Sequence, residues 1–185
     1  MAAIPPVCEF GWKPVDARLV GVDGQTRSVL DQAGPNGLVV VFICNHCPYV
    51  KAVIDRIVRE AAELKALGIG FVAVSSNDAR SHPEDSFDNM KAFAQAHGFT
   101  FPYLYDEDQT LARSWNAACT PDFFGFNADL ELQYRGRLDS AHKTAGAVDA
   151  RRDLFEAMKQ IAETGKGPRE QVASMGCSIK WKDAA

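Results

Sequence analysis

The most constraining stretch of the chain is Leu38-Val39-Val40-Val41-Phe42-Ile43, six apolar residues of which four are β-branched. An unbroken apolar run of this kind, preceded by the turn residues Gly34-Pro35-Asn36-Gly37, predicts a strand buried on both faces. Cys44-Asn45-His46-Cys47 follows at once. After Pro48, the residues Val50, Val53, Ile54, Ile57, Val58, Ala61 and Leu64 fall at the spacing of one helix face, with Gly68 as the stop. Gly70-Phe71-Val72-Ala73-Val74-Ser75 is a second buried strand, so the segment reads as a βαβ unit. Two thiols therefore stand where a buried strand passes into a helix N-terminus.

The rest of the chain extends this pattern. Arg18 to Val29 alternates around Asp23-Gly24 and predicts a β-hairpin. Ser81-His82-Pro83-Glu84 has the spacing of a capping box ahead of a helix with Phe87, Met90, Phe93, Ala94 and His97 on one face. Phe101 to Tyr105 predicts a short strand, and Asp106 to Gln109 a cap for a helix carrying Leu111, Ala112 and Trp115. Pro121 to Phe126 and Leu130 to Arg135 flank Asn127-Ala128-Asp129 as an antiparallel hairpin, and a last helix uses Val148, Leu154, Phe155, Met158, Ile161 and Ala162. The expectation is one α/β domain over 1–185: a central mixed β-sheet flanked by helices, with an N-terminal β-hairpin. Residues 1–12 read as a loosely held arm and 165–185 as an extended C-terminal tail.

A net charge of −4, with no basic run, argues against nucleic acid or an anionic membrane as partner. The start, Met1-Ala2-Ala3-Ile4-Pro5-Pro6, has neither the basic nor the apolar region of a secretory signal, so a cytoplasmic location is expected. Five cysteines in a reducing compartment do not read as a disulfide framework, which leaves redox chemistry or metal binding for Cys44 and Cys47.

Only a thiolate attacks a disulfide or a peroxide, and a free cysteine with pKa ~8.5 is mostly protonated at neutral pH. Unpaired amides and the dipole at a helix N-terminus stabilise the anion, and Cys44 is placed to receive that help. Cys44 is expected to attack as the more exposed thiol, Cys47 to resolve the mixed disulfide, and His46 to tune the pair. The alternative is a metal clamp, for which one Cys-x-x-Cys supplies only part of a closed ligand set; no metal is expected. Asn77 and Asp78 end a strand beside the central one and are auxiliary candidates or simple turn residues.

Cys44-Asn45-His46-Cys47, Thr120-Pro121 and the order of elements resemble the thioredoxin fold. With Ser75-Ser76-Asn77-Asp78, Phe101-Pro102-Tyr103-Leu104-Tyr105-Asp106, Thr120-Pro121-Asp122-Phe123-Phe124 and Gly176-Cys177-Ser178-Ile179-Lys180-Trp181-Lys182, the chain more narrowly resembles the peroxiredoxin-like redoxins of the alkyl hydroperoxide reductase/thiol-specific antioxidant superfamily. The resemblance implies a cis Thr120-Pro121 bond facing the thiols, with Thr120 offering its backbone to an extended substrate segment. It sets Cys47-Pro48 at the peroxide-attacking position and Cys44 where a hydroxyl-bearing residue would stand, which favours dithiol exchange over peroxide reduction. No arginine matches the peroxide site; Arg80, Arg113 and Arg135 read as solvated charges. Cys119 comes near the pair as a third redox partner or a buried hydrophobe. Cys177 either resolves a sulfenic acid on Cys47 or belongs to a packing anchor. The expected activity is thiol–disulfide exchange of antioxidant type on a protein or small-molecule disulfide or peroxide, with an external dithiol reductant and no cofactor. The alternatives are a thiol peroxidase using Cys47, or a redox-sensing or metal-binding module.

Overall fold

The computed structural model describes residues 1–144 and 149–183. In chain order the elements are β1 (Ala2–Ala3), β2 (Arg18–Gly21), β3 (Thr26–Ser28), β4 (Gly37–Phe42), α1 (Pro48–Lys51), α2 (Ile54–Ala66) and β5 (Ile69–Ser75). They continue as α3 (Phe87–Ala96), β6 (Tyr103–Tyr105), α4 (Thr110–Ser114), β7 (Cys119–Thr120), β8 (Asp122–Phe126), β9 (Leu132–Tyr134), α5 (Asp153–Thr164) and β10 (Gly176–Ser178). Val148, expected in the last helix, lies outside the described residues.

The main sheet has the order β3-β2-β6-β5-β4-β8-β9. β4, β5 and β6 run parallel; β2, β8 and β9 join antiparallel, so the sheet is mixed. Period-two alternation explains why β4 had to be apolar throughout. Val39 and Val41 face a core built with Ile54, Ile57 and Leu64 of α2 and Leu154, Met158 and Ile161 of α5. Leu38, Val40 and Phe42 face a second core holding Trp115, Phe124 and Phe126. Each such side chain contributes roughly 1.5–3 kcal/mol on full burial. Among the described residues no helix is long and apolar enough to cross a membrane.

Several local expectations are corrected. The helix after Pro48 is two helices, because Val53 N–H bonds back to the Val50 carbonyl at 3.0 Å and tightens the turn between them. The capping box is not formed: α3 is capped by Ser86, whose hydroxyl accepts from Asn89 N–H at 3.3 Å, while Pro83–Asp85 makes a separate 3-10 turn. The arm is not loose. Ala2 and Ala3 pair with Cys177 and Gly176, and Trp12 packs edge-on against Trp115 with ring centroids 5.7 Å apart.

The tail is tied down, as the packing-anchor reading of the Cys177 segment expects. β10 lies between β1 and β7 in a second, three-stranded sheet, with Cys177 opposite Thr120 and Ser178 opposite Cys119. Beyond it Ile179 is buried in the second core, and Lys180 N–H donates to Asn77 Oδ1 at 2.9 Å. Gly176 permits the close approach of β10 to β7: a Cβ there would stand 2.0 Å from the Thr120 carbonyl oxygen. Gly176→Ala is therefore expected to push β10 outward at a cost of about 1–3 kcal/mol. Denaturant unfolding checks the loss of stability, and alkylation of Cys177 in the folded protein should accelerate; an unchanged midpoint and unchanged labelling would contradict the packing described.

Candidate active site

The chain leaves the sheet at Cys44, just after Ile43 N–H makes a last bond to the Val74 carbonyl at 2.9 Å. Pro48 has no N–H and fits the first helical position, so α1 begins there and Cys47 becomes its N-cap. The sequence reading put Cys44 at the helix start; the helix start belongs to Cys47. Both cysteines are fully buried, so Cys44 is not the more exposed thiol. The least covered residue of the motif is His46, whose ring stacks on His82 at 5.2 Å between centroids.

The loop between the thiols is held by a residue that sequence reasoning missed. Asp85, with no exposed surface, accepts from Asn45 N–H at 2.8 Å, His46 N–H at 3.2 Å and Asn77 Nδ2 at 2.8 Å, and pairs with His46 Nδ1 at 2.6 Å. Asn45 adds bonds to the Glu84 carbonyl at 3.1 Å and from the Tyr103 hydroxyl at 2.9 Å. The 3-10 turn at Pro83–Asp85 aims this carboxylate inward. Asn77 joins the site through Asp85 on one side and the tail through Lys180 on the other.

Cys44 Sγ lies 3.4 Å from Thr120 Oγ1 and 3.9 Å from His46 Nδ1. Cys47 Sγ sits 3.1 Å from the Thr120 carbonyl. That carbonyl favours the thiol form of Cys47, but the opposing influences are larger. Hydrogen bonding from Cys44, helped by Thr120 and the Cys177 and Val50 amides, holds the Cys47 thiol well below the ordinary range against the cost of burial. Cys44 is pushed up by its interaction with Cys47, by burial and by the Asp85 charge. Of the two thiols Cys47 is therefore the more acidic and Cys44 the less.

Thr120-Pro121 is cis and places Thr120 against both thiols. Its backbone is not open to an extended substrate segment, however, because β10 already pairs there. Cys119 points elsewhere, buried, with its S–H on the Pro121 carbonyl at 3.4 Å and its thiol pushed up mainly by burial. Cys177 is partly exposed and interacts with Cys47. Arg135 is not a solvated charge: it is buried, ion-paired to Asp122 at 2.9 Å and stacked over Phe124 at 4.3 Å. Arg113 lies over the Trp181 ring at 4.5 Å, and Arg80 is exposed. A cleft of about 330 Å³ beside Pro121, lined by Tyr49, Val53, Phe123, Leu138 and Met175 among others, includes none of the cysteines.

Among the described residues, Cys44, His46 and Asp85 bring three potential metal ligands within 4.8 Å of one another. The His46 and Asp85 atoms are already spent on each other, and Asp85 is further saturated by amide donors. The donor set fits a hydrogen-bonded hub better than a cation site.

Two outcomes follow. In the reduced protein the thiolate absorbance should titrate well below the ~8.5 of a free cysteine, and Cys44→Ser should move that step upward. Since the Cys47 pKa is lowered on folding, the reduced protein gains stability as pH rises between the folded and unfolded values, and loses it as pH falls through the folded one. Asp85→Asn sets an NH2 group against N–H donors and should cost roughly 1–3 kcal/mol of stability in denaturant unfolding, while making Cys44 easier to ionise.

The AhpC/TSA family matches residues 11–155. An uncharacterized conserved protein of Geobacillus kaustophilus is 41% identical, with a TM-score of 0.93 over 100% of this chain and 98% of that one. A hypothetical protein of Sinorhizobium meliloti is 31% identical, with a TM-score of 0.91 over 98% of this chain and 99% of that one. Peroxidoxin BcpB of Mycobacterium tuberculosis, 17% identical, shares the fold at a TM-score of 0.57 over 68% of this chain and 82% of its own. No curated protein matches. The chain belongs to the AhpC/TSA family, as a peroxiredoxin-like redoxin of thioredoxin fold, and its function is a redox one.

Proposed function

We propose that the chain is a thiol–disulfide oxidoreductase in which Cys44 and Cys47 cycle between dithiol and disulfide. The geometry that carries this reading is the placement of both thiols against one residue of the cis-proline turn, Cys44 Sγ 3.4 Å from Thr120 Oγ1 and Cys47 Sγ 3.1 Å from the Thr120 carbonyl oxygen, with Cys47 the more acidic of the two. A thiolate that forms readily is both the attacking species and a good leaving group. The roles read from the sequence are accordingly exchanged: Cys47 is the exchanging sulfur, and Cys44, the less acidic thiol, closes the disulfide with it. His46 orients the loop through Asp85 and stands beside Cys44, where it tunes the pair. Thr120 supplies contacts to both sulfurs rather than a docking edge. The substrate class is a protein or small-molecule disulfide, an external dithiol returns the electrons, and no prosthetic group takes part. An antioxidant role in the reducing cytoplasm belongs to this reading.

One observation favours thiol peroxidase as a second reading: the lowered Cys47 thiol followed by Pro48. Against it, Cys44 replaces a hydroxyl and Arg135 is engaged by Asp122. Stopped-flow mixing with hydrogen peroxide separates the two, since rapid oxidation with turnover would favour the peroxidase. Insulin reduction tests the exchange reading. Cys44→Ser and Cys47→Ser are expected to abolish turnover and Cys119→Ser to retain it; turnover surviving in Cys47→Ser would overturn the assignment.

A further inference from the structure

Cys44 and Cys47 have no exposed surface, yet a partner dithiol must reach a sulfur. Cys177, the third thiol at this site, is partly exposed. It is held there by structure on every side. Its strand pairs with β7 so that Cys177 stands opposite Thr120, the residue whose carbonyl and hydroxyl contact Cys47 and Cys44. β1 covers the other edge of that strand. Downstream, Lys180 is fixed by Asn77, which also bonds Asp85, and Gln109 Nε2 donates to the Lys180 carbonyl at 2.8 Å. β10 thus occupies the strand edge that an extended substrate segment would use, and presents a cysteine from it.

We propose that Cys177 is the exchange point of a three-thiol relay, through which an external dithiol reductant returns electrons to the buried Cys44–Cys47 disulfide. This rests on the dithiol reading above. In the first step Cys177 sulfur attacks Cys47 Sγ. The Cys44–Cys47 bond breaks, a Cys47–Cys177 bond forms, and the Cys177 proton passes to Cys44; no net oxidation occurs. In the second, a thiolate of the external dithiol attacks the exposed Cys177 Sγ and expels Cys47 as its thiolate. The second thiol of the reductant then attacks its own sulfur in the mixed disulfide, releasing Cys177, which takes the proton. The reductant ends as a disulfide having lost two electrons, and the protein ends with Cys44 and Cys177 as thiols and Cys47 as thiolate.

Burial holds the Cys177 thiol up most and Cys47 adds to it; only the Cys47 contribution disappears once that sulfur is in a disulfide, so Cys177 gives up its proton to Cys44 as it attacks. Cys47, with the lowered thiol, is the leaving group in the step that meets the reductant, and a more acidic thiol leaves faster.

The test uses the full-length protein with reduced thioredoxin and with dithiothreitol as probes. The relay predicts that oxidised Cys177→Ser and Cys177→Ala keep the Cys44–Cys47 bond but are reduced by thioredoxin at least about tenfold more slowly than wild type. It also predicts that oxidised Cys44→Ser yields a Cys47–Cys177 peptide pair by mass-spectrometric mapping. Unchanged reduction rates in both Cys177 variants, or Cys44→Ser with no Cys47–Cys177 bond, would overturn the relay and leave the dithiol reading standing. Absence of a Cys44–Cys47 bond in oxidised wild type would instead remove the dithiol reading, and the relay with it.

Discussion

The buried Asp85 carboxylate is the interaction on which the site depends. A Cys-x-x-Cys loop that leaves one buried strand and enters a short helix has few backbone partners of its own. Asp85 supplies them by accepting two consecutive amides of that loop and the ring nitrogen of His46. An acceptor-only group facing several donors is strongly specified, because removing it would leave buried N–H groups unpaired. The same charge adds to the effects of Cys47 and of burial that keep a negative charge off Cys44.

A second consequence of the architecture concerns access. The edge strand β7 is short, and an open edge invites pairing by another chain. β10 closes it from within the molecule, and Gly176 allows the two backbones to approach closely enough to do so. The chain's own C-terminal strand lies against the thiols, with Asn77 tying it to the Asp85 hub. The buried pair and the partly exposed Cys177 therefore form one unit, fixed by hydrogen bonds from the sheet, the 3-10 turn and the tail.

Much of the fold is legible locally. The apolar run of β4, the periodicity of α2, the Asp23-Gly24 hairpin and the turn before β9 each carry a signal within a few residues, and all appear close to where the pattern places them. The interval Ser81–Ser86 misleads because two serines compete to cap the following helix. Ser81 has the right spacing to Glu84, but Ser86 caps α3, and Asp85 is thereby freed to turn inward. Nothing within a few residues of Asp85 reveals a partner some forty positions earlier in the chain. The same holds for the tail: a polar stretch with a short apolar patch carries no record of the strand it will pair with. Arg135 looked solvated because its partner Asp122 lies on the neighbouring strand and its cation sits over Phe124. Motifs that act within a turn or a helix face were readable; those assembled by distant pairing were not.

Stabilising one thiolate in the folded, reduced protein stabilises the reduced state itself, so the central claim has a direct thermodynamic reading. The measurement is the reduction potential of the Cys44–Cys47 couple, by equilibration with glutathione at neutral pH and quantification of both forms. A couple clearly more oxidising than about −270 mV, displaced toward the ~−120 mV of strongly oxidising dithiols, is the predicted result. A value below about −300 mV, in the range of structural disulfides, would contradict a Cys47 thiolate held stable by its neighbours.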